Sequence, residues 1–151
     1  MSKFAHLKSL AVNDGDTVEF SFYEIEGVPT LDVAPATKAN REFFNAVLRK
    51  SKEAARKLRS RRNQMPTQAQ IDAVRREDVA LFSEYIVKGW RNVVDSKGTE
   101  VEFSKEDCQE WLMEIPDDMF EELRDFCLDI RNFRQGSDEM EAAELEDLTG
   151  N

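Results

Sequence analysis

Four prolines divide this chain, and the period of its apolar residues changes between them. Proline lacks a backbone N–H, and its ring clashes with the preceding helical turn, so helices end at or before it. Upstream of Pro35 the period is two. Thr17-Val18-Glu19-Phe20-Ser21-Phe22-Tyr23 alternates, with Val18, Phe20 and Phe22 on one face. Thr30-Leu31-Asp32-Val33 reads as the return strand, which predicts a β-hairpin within 17–34 across Glu26-Gly27-Val28-Pro29.

Downstream of Pro35 the period is helical. Thr37 is the expected N-cap of a helix over about 38–61, with Phe44, Leu48, Ser51, Ala55 and Leu58 in one stripe, widened by Phe43, Val47 and Ala54. Pro66 breaks that run. Thr67-Gln68-Ala69-Gln70 is a capping box, in which hydroxyl and amide satisfy each other's backbone N–H. It opens a predicted helix over 67–88 whose apolar face is Ile71, Val74, Val79, Phe82 and Ile86. Gly89 stands where a left-handed C-terminal cap belongs. Asn92 to Phe103 reads as a small β-turn segment around Asp95 to Gly98. Ser104 caps a helix over 105–115, which Pro116 stops, and Asp117 caps another over 117–131. The fold class expected is mainly α with a minor β part. One mostly helical domain covers 1–135, and an acidic tail over 136–151, with too few apolar residues to join a core, is expected to be disordered.

Charge is distributed unevenly. The formal net charge is −10, yet the stretch 38–62 holds ten cations against Glu42 and Glu53 alone. Such asymmetry predicts self-association or a charged partner. A nucleic-acid interface on the basic helix is disfavoured, because its basic face lacks aromatics and the acidic remainder repels phosphate. The bland expectation is a solvated face that pairs with the acidic half, in the same copy or a neighbouring one.

No catalytic, cofactor or metal site is expected. His6 is the only histidine, so the usual nucleophile–base pairs are missing. Cys108 and Cys127 form no CxxC and read as two buried free thiols, as suits a reducing cytoplasm. Asp95 to Gly98 departs from a calcium loop, since Lys97 and Thr99 occupy ligand positions. No apolar run approaches the roughly 20 residues that cross a bilayer. Trp90, Trp111, Phe120 and Phe126 fall at core or interface positions, and Trp and Phe dominate interfaces when they are not wholly internal.

The order of pieces from Val87 onward resembles the tail assembly chaperones of long-tailed, siphovirus-type bacteriophages. The carrying residues are Val87-Lys88-Gly89-Trp90-Arg91-Asn92-Val93-Val94-Asp95 with Gly98, then Val101-Glu102-Phe103-Ser104-Lys105-Glu106, Leu112, Ile115-Pro116, Phe120 and Asn132-Phe133. The resemblance covers about half the chain. It implies a helix ending in the Gly-Trp pair, and a non-enzymatic protein that acts in the host cytoplasm and is absent from the mature virion. It also implies binding to the tape measure protein, which such chaperones keep soluble, and recruitment of the tail tube protein. On this reading Trp90, Trp111, Phe120 and Phe126 form or support the partner groove, with the basic helix at Arg49, Arg56 and Arg59 as the second place to look. The rival expectation is a small acidic regulator that binds a host nucleic-acid enzyme by mimicking nucleic-acid charge.

Overall fold

The computed structural model describes residues 3–59, 65 and 67–134, with only the backbone at 54, 55 and 57–59. The acidic tail lies outside the described residues. The architecture is mainly α, with one small antiparallel sheet. A 3₁₀ turn at Ala5–Leu10 leads into β1 (Val18–Ser21) and β2 (Thr30–Val33). Helices α1 (Arg41–Arg59) and α2 (Gln68–Leu81) follow, then a π turn at Phe82–Ile86 and β3 (Val87–Arg91). Helices α3 (Lys105–Glu114) and α4 (Asp117–Leu128) and a 3₁₀ turn at Ile130–Phe133 complete the described chain.

The expected hairpin is present, but it gains a third strand. β2 is central, paired antiparallel with β1 on one edge and β3 on the other. Phe20 faces Leu31, which faces Trp90; Val18 faces Val33, which faces Val87. The two rows share one side of the sheet only because a bulge interrupts the β2–β3 register between Asp32 and Val33. Val87 and Trp90 are three positions apart and would otherwise point to opposite faces. Leu31 and Val33 are fully buried as a result. At the far end of the sheet Val28 and Asn92 both adopt left-handed backbone, and Asn92 Nδ2 donates to the Val28 carbonyl.

The helix expected over 67–88, ending in Gly89-Trp90, is corrected here. α2 stops at Leu81, and Gly89 and Trp90 lie in β3. The physical reason is the free edge of β2: pairing there satisfies backbone groups that a longer helix would leave open. Gly89 is extended rather than left-handed, and a Cβ on it would stand 3.3 Å from the Asp32 carboxylate. The apolar face of α2 is corrected as well. Val79 is buried, but Ile71 and Val74 are exposed because the first half of the helix projects past the body.

Caps set the other boundaries. Asn40, not Thr37, starts α1: its Oδ1 accepts from the Phe43 N–H and its Nδ2 donates to the Tyr85 carbonyl 3.1 Å away. Thr67 and Gln70 form the capping box, and Ser104 Oγ accepts from the Asp107 N–H. α4 follows Pro116 without a side-chain cap, so the capping role expected of Asp117 is not seen.

Asp117 instead pairs with Arg75 of α2. Arg75 Nη2 also donates to the Leu112 and Ile115 carbonyls, at 3.1 and 3.0 Å, and the guanidinium lies over the Phe120 ring. Those carbonyls belong to the end of α3, where helical acceptors lack partners. One largely buried side chain thus joins α2, α3 and α4. Arg75→Ala is expected to cost about 2–3 kcal/mol, because hydrogen bonds from a charged donor are among the stronger ones. Arg91→Ala, which breaks only the exposed pair with Glu19, should leave stability almost unchanged. Urea unfolding of the two variants measures the difference, and equal midpoints would reject this role for Arg75.

Candidate partner-binding surface

The aromatic side chains fall into two connected sets. In the first, Trp90 stacks edge-on against Phe103 and Trp111, Trp111 against Phe22, Phe22 against Phe20, and Phe20 against Phe126, with centroids 5.0–6.3 Å apart. This seam joins the apolar side of the sheet to α3 and α4. Trp90 Nε1 donates to the Val101 carbonyl at 2.9 Å, which binds the turn segment over 92–103 to the sheet. Trp90, Trp111 and Phe126 are half-buried. The second set is Phe43, Phe82 and Phe120, and Phe120 is only 3% exposed. The four aromatics singled out in the sequence therefore do not line one groove. Three belong to the seam and the fourth lies beneath Phe82.

A groove does open above that second set. It has a volume of about 430 Å³ and runs between α1, α2 and the end of α4. Phe43, Phe44, Val47, Leu81, Phe82 and Leu128 supply its apolar lining, and Lys38, Lys50, Glu77, Asp78 and Arg124 its charged rim. Phe120 supports it from behind through Phe82, at 5.3 Å. Along the same side of α1, Phe44 and Leu48 are 40% and 47% exposed, and Leu128 of α4 is exposed too. Phe44 and Leu48 are the stripe residues expected to be internal. α1 instead buries Phe43 and Ala46, about a quarter-turn away, and the wide stripe has more apolar surface than the body covers. No sequence signal distinguished the covered half of the stripe from the open half.

The basic residues lie on another sector. At 100° per residue Lys52 and Arg56 stand away from Phe43, Arg49 adjoins Ala46, and all three are exposed. Arg49 borders a second cleft whose other wall carries Glu84 and Glu106, but Glu84 is paired with Lys105 at 3.0 Å. Arg59 continues the row on the backbone of α1.

The remaining polar chemistry is spent locally. The Asp95 carboxylate accepts from the Lys97 and Thr99 N–H groups of its own turn, and Gly98 supplies the left-handed position. Cys108 and Cys127 are both free and buried, and burial pushes the Cys108 thiol up to about 12 and the Cys127 thiol up as well. At neutral pH neither offers a thiolate. Among the described residues no group of three or more His, Cys, Asp or Glu is placed to hold a metal ion. Among the described residues, too, no helix is long and apolar enough to cross a membrane.

Asp78 sits on the groove rim, 3.9 Å from Arg124. Burial raises its carboxyl above the ordinary range, against the pull of Arg124. A carboxyl raised in this way favours the folded state when protonated. That contribution is present below the ordinary carboxylate pKa and is lost as pH rises through the raised value. Asp78→Asn stays neutral throughout, so it should melt higher than the parent at neutral pH. The advantage should shrink as pH falls toward about 4, the ordinary aspartate range. Thermal melts at both pH values check this, and an unchanged or lower melting temperature at neutral pH would contradict it.

No curated protein and no solved structure matches the chain. Residues 35–144 match the family described as YdaY prophage protein, a stretch that begins just after β2 and holds all four helices, both grooves and β3. The chain therefore belongs to the YdaY prophage protein family and is of phage origin.

Proposed function

We propose that this prophage protein is a non-enzymatic tail assembly chaperone that binds helical segments of a tape measure protein, keeps that protein soluble in the host cytoplasm, and helps recruit tail tube subunits. The observation that carries the reading is the apolar groove between α1, α2 and α4, continued by exposed Phe44 and Leu48. An amphipathic helix is recognised by such a groove through anchors at helical spacing. A tape measure protein exposes helices of this type before a tube encloses it. Phage origin supports the assignment, as does the part of the resemblance that follows the Gly89-Trp90 pair, from Asp95 to Phe133. The formal net charge of −10 favours a soluble coated complex.

On this reading the aromatic seam is support. Trp111 packs against Phe22 and Trp90, and truncating it opens a cavity between sheet and α3. Trp111→Ala should cost roughly 3–5 kcal/mol and impair folding itself. Phe44→Asp with Leu48→Asp replaces two exposed side chains, so folding should survive while binding is lost. The measurement is co-expression with the tape measure protein, followed by affinity capture and circular dichroism of the purified variant. Retention of a soluble tape measure protein by the folded double variant would reject the groove. Capture of a host nucleic-acid enzyme in place of the tape measure protein would favour the charge-mimic reading.

A further inference from the structure

The described cations of α1 have no carboxylate partner among the described residues. Five ion pairs occur among the described side chains, and none includes Arg41, Arg49, Lys50, Lys52 or Arg56. Those residues make no side-chain hydrogen bond there either, and Lys50 acts on Asp78 only at a distance. Among the described residues, then, the basic helix is not paired with carboxylates of its own copy. The opposite surplus stands on α4. Asp118, Glu121, Glu122 and Asp125 are all exposed, recur at i, i+3, i+4 and i+7, and pair with no cation among the described residues. That spacing places them on one stripe, opposite Phe120, Leu123 and Cys127, which are buried. Arg49, Lys52 and Arg56 recur at i, i+3 and i+7 and are exposed, their row centred about a third of a turn around the helix from buried Phe43 and Ala46.

We infer that the chain associates with a second copy of itself, the basic stripe of α1 lying along the acidic stripe of α4 of the other copy. Two helical rows of matching period and opposite sign satisfy each other over two turns. The same charges oppose the alternatives: α1 against α1 of a second copy sets cation against cation, as does α4 against α4 for carboxylates. None of these charged residues lines the groove that holds Phe44, although Lys52 stands one turn from Leu48 and Asp125 one turn from Leu128, so the association is tested separately from the tape measure reading.

The test uses the full chain. Sedimentation velocity at about 50 mM salt should report a multiple of the 17.4 kDa monomer, and at about 500 mM salt a shift toward the monomer, since exposed pairs are screened within a few ångströms there. Arg49→Glu with Arg56→Glu should be monomeric in low salt, and so should Glu122→Lys with Asp125→Lys. All four positions are exposed, so circular dichroism should show both variants folded. Mixing the two should restore association, because each then offers what the other lacks. A parent that is monomeric in low salt, an oligomer indifferent to salt, or a mixture that fails to reassociate would each overturn the proposal. So would a parent whose larger mass disappears on nuclease treatment, which would assign the basic stripe to nucleic acid.

Discussion

The bulge between Asp32 and Val33 is the constraint on which the rest of the structure depends. β2 carries Leu31 and Val33 inward, and a regular β3 opposite it would bury either Val87 or Trp90, not both. Inserting one extra residue turns both inward. Val87 then completes the row with Val18 and Val33. Trp90 completes the row with Phe20 and Leu31 and reaches Trp111 and Phe103. The sheet thereby acquires a continuous apolar side on which α3 and α4 rest. The cost is local: Lys88 is the unpaired extra residue of β3, and Gly89 leaves room for the Asp32 carboxylate.

What the sheet organises on one side, Arg75 organises on the other. Its guanidinium satisfies the carbonyls at the end of α3, pairs with the first residue of α4 and covers Phe120. The second half of α2 is thus held against the body while its first half and most of α1 project. This division leaves the groove and the basic stripe open. A helix packed along its whole length would have buried Phe44 and Leu48, and α1 would have found carboxylates for its cations. Because only the first turns of α1 are seated, an apolar groove and a basic stripe stay available on different sectors of one helix.

Much of this was legible before folding. Local rules govern a residue whose partner is a few positions away, so the hairpin, the Thr67–Gln70 capping box, the Ser104 cap, the stop at Pro116 and the Asp95–Gly98 turn all follow from short-range hydrogen bonding and fixed backbone torsions. The burial of Cys108 and Cys127 followed from their places in apolar stripes. Family membership adds phage origin, which composition and spacing alone do not contain.

Tertiary structure decided the rest, for one physical reason: burial depends on what lies opposite. The amino acids from Phe82 to Lys88 suit a helix, and they become a π turn and the start of a strand because β2 has an unpaired edge. The α1 stripe is apolar at every position but Ser51, and the tertiary packing decides which half is covered. Trp90, Trp111, Phe120 and Phe126 have similar chemistry, and only the packing assigns three to a seam and one to the floor beneath a groove. The sequence by itself determined the elements, their caps and the uneven charge; the meeting of distant segments decided which faces are core and which remain open to a partner.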